Sequence, residues 1–220
     1  MSADPAAQYA QAVKLLNGDG VEKDERAGYE LMLEAASAGV AEAAYEAAQC
    51  ARLGRGTASD KKLAYGLYRV GAESGHGPSA FSAALLLGQG VLGAPDYAQA
   101  VELYEIAAKA GHAPAAHNLA IMYAKGVGAP SDPKKARELL TRAVELGFDQ
   151  ALFSLGLLCL LGGENFKPDP VEALKWALLS QSRDPGGPGS GLVERASAAC
   201  DPDQRADARR RAQAWAPEKA

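Results

Sequence analysis

Apolar positions recur along this chain in blocks. Stretches such as "AQYAQAVKLL", "ELMLEAASAG", "AAHNLAIMYAKG" and "VELYEIAAKAG" set Ala, Leu, Val, Ile and Tyr three and four residues apart, with charged or amide side chains between them. That spacing puts an apolar stripe on one face of an α-helix. The blocks repeat every 36 residues: Gly39, Gly75, Gly111 and Gly147 make one series, and Gly18, Gly54, Gly90, Gly126 and Gly162 another. Asp24, Asp60, Asp96 and Asp132 keep the same step, with Asp169 one residue late.

Each series has a local physical reason. The first glycines follow alanine-rich runs, where a left-handed residue ends a helix. The second series opens a short loop, often Gly-x-Gly, that reverses the chain between antiparallel helices. The aspartates then start the next helix. "DYAQ" (Asp96, Gln99) and "DPVE" (Asp169, Glu172) have capping-box spacing, and "DPKK" puts Pro133 at the first helical position. Read as calcium loops, the same segments lack closely spaced oxygen ligands.

The pattern therefore predicts an all-α, right-handed solenoid of five helix-turn-helix repeats over 1–183, at about 5–39, 40–75, 76–111, 112–147 and 148–183. One first-helix column is uniformly small (Ala12, Ala48, Ala84, Ala120 and Gly156), which lets helix backbones approach closely. No single pair buries its apolar face alone, so neighbours must stack. A Gly/Pro-rich segment at 184–191 reads as a mobile loop, and 192–216 as two closing helices. In the second of these, Asp201, Gln204 and Pro202 mark the start, and Ala208, Ala212 and Trp215 form the side that covers the end of the core.

Composition narrows the function. The chain has 220 residues, 48% of them hydrophobic, and a net charge of −4, which excludes a general electrostatic pull toward nucleic acid or anionic lipid. The "RADARRRAQAW" run reads as a solvated helix face, because over 201–220 five basic residues, Lys219 included, meet four acidic ones, Glu218 included. The stretch free of charges from Ser74 to Pro95 is interrupted by Pro78 and five glycines, so membrane insertion is not expected. The start lacks a basic segment ahead of an apolar one, and Cys50, Cys159 and Cys200 form no paired pattern; a cytoplasmic location is the expectation. No GxSxG, P-loop or HExxH motif is present, and neither a catalytic residue, a metal nor a cofactor is expected.

Two histidines carry the candidate chemistry. His112 repeats His76 one period earlier, directly after a helix-ending glycine, and reads as a junction residue. His117 belongs to a column of Tyr9, Tyr45, Phe81, His117 and Phe153. One turn on lie Val13, Gln49, Leu85, Ile121 and Leu157. Columns of this kind are either repeat core or a binding surface, and the sequence leaves both readings open.

The string "AGHAPAAHNLAIMYAKGVG" at 110–128, followed by Asp132, "KKA" at 134–136 and Gly147, resembles the Sel-one-like repeat, a branch of the tetratricopeptide superfamily. The resemblance spans about four fifths of the chain. Departures are Gln11 and Lys14 in the first unit, Leu92 for the second loop glycine in the third, and Glu164 with one inserted residue in the fifth. The resemblance implies a protein interaction scaffold whose first helices line a concave groove, with Tyr9, Tyr45, Gln49, Phe81, Leu85, His117, Ile121, Phe153 and Leu157 facing a partner segment and Arg52 and Lys125 on the rim. Similar bacterial proteins act as assembly factors, secretion-associated adaptors and immunity proteins, and a monomer is the expected state. The alternative it implies is a hydrolase, since some secreted, cysteine-rich relatives have been described as beta-lactamases. This chain lacks their paired cysteines.

Overall fold

The computed structural model describes residues 4–215. Among them it contains twelve α-helices and no strand, with one isolated backbone bridge between Gly163 and Phe166. The helices belong to two compact units, Met1–Ala110 and Gly111–Ala220. In the first, α1 (Pro5–Asn17) pairs with α2 (Glu25–Ser37), α3 (Ala41–Leu53) with α4 (Lys61–Glu73), and α5 (Gly77–Gly88) with α6 (Tyr97–Lys109). In the second, α7 (Ala113–Lys125) pairs with α8 (Pro133–Glu145) and α9 (Gln150–Leu161) with α10 (Pro170–Arg183), and both α11 (Gly189–Ala198) and α12 (Pro202–Ala214) pack on α10. Within each unit the second helix of one pair also packs on the first helix of the next. The all-α class, the five helix pairs and the closing pair are those the pattern predicts.

The punctuation works as the residue types dictate. Asp24, Asp60, Asp96, Asp132 and Asp169 each accept a backbone N–H two or three residues on. The reciprocal half of the capping box closes at Asp201 and Gln204, as the spacing there suggested, but not at Asp96 and Gln99 or at Asp169 and Glu172. Gln99 instead accepts from the Tyr65 hydroxyl, and Glu172 turns to the cations of Lys175 and Arg211, which bind a carboxylate more strongly than a neutral donor does. Both glycine series adopt positive φ, from +65° to +95°. The two irregular loops find substitutes: Gly93 turns at +140° in the third, and Asn165 at +55° in the fifth.

Close helix contact rests on two small columns. Ala12, Ala48, Ala84 and Ala120 have no exposed surface, and Gly156 is buried with them. The facing column on the second helices, Gly28, Ala64, Ala100, Ala136 and Ala173, is also buried. A Cβ on Gly28 would stand 3.0 Å from the Ala12 carbonyl oxygen, and one on Gly156 2.9 Å from Leu192. Around these contacts Met32, Tyr68, Leu119, Leu152, Leu155 and Leu174 are sealed, each contributing about 1.5–3 kcal/mol by burial.

One boundary differs from the sequence reading. Gly189, Ser190 and Gly191 belong to α11, so the loop expected over 184–191 shortens to 184–188. The cause is tight packing: Gly189 is buried, and a Cβ there would meet the Gln181 amide nitrogen at 2.8 Å. Trp215 stacks edge-on against Trp176 at 5.6 Å and Ala208 is fully buried, so α12 covers α10. Ala216, Glu218 and Lys219 lie outside the described residues.

Candidate partner-binding face

The first helices carry every residue of the expected face. Tyr9, Tyr45, Phe81, His117 and Phe153 are all half-buried, as are Gln49, Arg52, Leu85, Ile121 and Leu157; Lys125, the last residue of α7, is exposed. Three of the rings lie against helices of their own or the next pair. Tyr45 stands 5.7 Å from Tyr68 in its own pair and 5.5 Å from His76, which opens the next. Phe81 lies 5.9 Å from Tyr104. In the second unit His117 lies 5.2 Å from Phe148, which occupies in the fifth repeat the place of His76 in the third. Tyr45, Phe81 and His117 thus contribute to packing, and all five residues of the column stay partly exposed.

Electrostatics differ along the column. In the second repeat the Gln49 amide oxygen accepts from the Tyr68 hydroxyl at 2.5 Å and from Arg52 Nε at 3.0 Å, and the Gln49 amide nitrogen donates to the Tyr45 hydroxyl at 3.3 Å. In this repeat the face is a polar network. The signal was present, because Tyr45, Gln49 and Arg52 at i, i+4 and i+7 share one helical face. Burial pushes the Tyr9 phenol above its usual range, and the nearby Glu46 and Glu42 carboxylates add to the effect. His117 Nε2 lies 2.9 Å from the Ser154 hydroxyl. Burial holds its imidazole below the ordinary histidine range, against a smaller opposing contribution from Asn118.

The other singled-out residues have structural surroundings. His112 is the N-cap of α7, its Nδ1 accepting from the Ala115 N–H at 3.3 Å, and His76 Nδ1 lies 2.8 Å from the Ser79 hydroxyl. The three cysteines are free and buried; burial pushes the Cys159 thiol up to about 11 and raises Cys50 and Cys200, which disfavours the reactive thiolate. Among the described residues no group of three or more His, Cys, Asp and Glu is arranged to hold a metal ion. In the basic run, Arg210 pairs with Asp207 at 3.0 Å, and Arg211 with Asp207 at 2.7 Å and Glu172 at 3.0 Å. Two surface depressions, one of 770 Å³ at Gln11, Leu15 and Lys23 and one of 570 Å³ at Arg137, Thr141 and Phe166, include none of the expected face residues.

The sequence matches the model of the Sel1 repeat five times, over residues 5–40, 41–76, 78–112, 113–148 and 149–180. Among curated proteins none matches. The structure is similar to a Sel1 repeat protein from Oxalobacter formigenes, with 24% identity, a TM-score of 0.77, and coverage of 96% of this chain and 87% of that one. It is also similar to c5321, a protective antigen of uropathogenic Escherichia coli strains displaying the same fold (17% identity, TM-score 0.52, 96% of this chain, 60% of that one). A looser likeness is to the immunity protein Pa5087 of Pseudomonas aeruginosa, with 18% identity, a TM-score of 0.47, and coverage of 97% and 82%.

Proposed function

The chain belongs to the Sel1 repeat family, and from that premise we propose that it is a non-catalytic scaffold that binds a segment of another protein along its first-helix face. Sel1 repeat proteins generally bind other proteins. The observation that carries the finer reading is the half-buried aromatic column, whose members keep open surface on one side of every first helix. Half-exposed aromatic rings are the residue types that dominate the energetics of such contacts. In the first unit Tyr45 and Phe81 would be the anchors, with Tyr9 and Leu85 beside them, and in the second His117 and Phe153, with Ile121 and Leu157 beside them. Gln49 and Arg52 would present one ordered polar patch, and Lys125 a cation at the rim.

This reading needs no cofactor, nucleic acid or membrane. The net charge is −4, and no described helix is long and apolar enough to cross a bilayer. We place the protein in a bacterial cytoplasm as a monomer, acting as an immunity protein or a secretion-associated adaptor, on the strength of the family resemblance and of three cysteines that form no disulfide.

The test is capture of the partner from native lysate, then titration of that partner against Phe81→Ala and His117→Ala once both variants are known to fold. Each truncation should weaken binding by about 2 kcal/mol. Wild-type affinity in both would move the binding surface off the first helices.

A further inference from the structure

A guanidinium is always charged in a protein, and its planar fork matches the two oxygens of a carboxylate. Three of the four arginines of the first unit have such a partner: Arg26 pairs with Glu30 at 3.1 Å, Arg55 with Glu25 at 3.2 Å and Arg69 with Glu73 at 3.1 Å. Arg52 is the exception. It is half-buried in the last turn of α3, and among the described residues no carboxylate pairs with it. The repeat does not demand a charge at this place either, because the equivalent residues are Leu16, Gly88, Ala124 and Leu160.

Neutral groups hold Arg52 instead. Its Nε donates to the Gln49 amide oxygen, which also accepts from the Tyr68 hydroxyl, so both lone pairs of that oxygen are used. The Gln49 amide nitrogen donates to the Tyr45 hydroxyl, which fixes the way the amide faces. Burial raises the Tyr68 phenol, and a hydrogen bond from Arg52 opposes the rise. With Nε occupied, the two terminal nitrogens are left as one planar pair of donors, the geometry that takes a carboxylate end-on. Because Gln49 already restrains the fork, less side-chain freedom is lost when an anion arrives. The next residue, Leu53, is 62% exposed and sets apolar surface beside the cation. Resting on the reading that first helices bind the partner, we propose that Arg52 is the recognition point for one acidic side chain, an Asp or Glu of the partner segment. A single cation matches the single charge of a carboxylate, whereas a phosphate group carries nearly two and Gln49, Tyr45 and Tyr68 supply no second cation.

A phage-displayed library of random peptides, panned on the full-length chain, is the probe. Peptides selected by wild type should carry Asp or Glu at a fixed distance from an apolar residue. They should bind Arg52→Gln about tenfold more weakly, and Arg52→Lys, which keeps the charge and loses the fork, should fall between the two. Panning on Arg52→Glu should exchange the acidic preference for Lys or Arg, a reversal that a merely structural role of Arg52 does not produce. Selected peptides without an acidic bias, acidic peptides that bind Arg52→Gln as well as wild type, or a library from which wild type selects nothing would each overturn the proposal. Phe81→Ala separates it from the wider reading. Peptides weakened by Phe81→Ala and indifferent to Arg52→Gln refute the carboxylate site alone, while acidic peptides weakened by Arg52→Gln and not by Phe81→Ala support the site and refute the aromatic anchors.

Discussion

The second and fourth repeats use the same scaffold and differ on the face they present. Both bury a small column alanine, Ala48 or Ala120, and both set an aromatic-type ring on the seam to the next repeat. In the second repeat the ring is Tyr45, tied through Gln49 to Arg52 and Tyr68. In the fourth it is His117, held by the Ser154 hydroxyl and by contact with Phe148. The repeat therefore separates two tasks: the columns facing the partner helix admit only small residues, while the open column tolerates phenol, phenyl or imidazole. A shared frame can carry unlike surfaces.

If the frames are equivalent, the same insult must harm both. Ala48→Leu and Ala120→Leu should each destabilise by about 1–3 kcal/mol, because three added heavy atoms force closely packed helices apart. Urea unfolding measures both. A large loss in one and none in the other would show that the two repeats are packed differently. The next effect separates them. Gln49→Leu removes one acceptor of the Tyr68 hydroxyl, which sits on a residue only 1% exposed, and should cost about 1 kcal/mol. Ile121→Leu, at the equivalent place in the fourth repeat, keeps volume and breaks no polar contact, and should cost less. Equal losses would mean that the network of the second repeat contributes nothing beyond packing.

The sequence made the frame legible because each of its parts is a local rule with a fixed period. Glycine at positive φ, aspartate at the helix start and alanine in the crowded column are each demanded by backbone geometry, and geometry repeats. The facing column of Gly28, Ala64, Ala100, Ala136 and Ala173 keeps the same step of 36, with Ala173 one residue late, and is a second column of the same kind. What the period could not convey was the direction each polar side chain takes. Gln99 and Glu172 have capping-box spacing but turn to Tyr65 and to Lys175 and Arg211, and Gln49 accepts from Tyr68, nineteen positions on. Such choices depend on which partners the fold brings near. The start of α11 at Gly189 escaped for a similar reason: glycine and proline signal a loop locally, whereas close packing on α10 makes glycine the residue that fits.

The smallest expected effect tests the remaining difference, that the fourth repeat titrates where the second does not. In the unfolded chain an imidazole loses its proton near its ordinary value of about 6.5. In the folded chain burial holds His117 lower, and the opposing contribution from Asn118 is smaller. As pH falls through about 6.5 the unfolded state therefore takes up a proton that the folded state resists. The contribution of neutral His117 is complete above that value and is lost progressively as pH drops toward the folded one. The Ser154 hydroxyl can accept as well as donate, so the loss comes from placing charge in a half-buried seam and not from a broken hydrogen bond. His117→Phe puts in this column the residue found at Phe81 and Phe153, and removes the titrating group. Other ionisable groups are common to both proteins, so the informative quantity is the difference between their urea midpoints at about pH 7.5 and at about pH 5.5. Wild type should lose more stability than His117→Phe over that interval, while Tyr45→Phe in the second repeat should run parallel to wild type. Parallel curves for all three would remove the chemical distinction between the two faces.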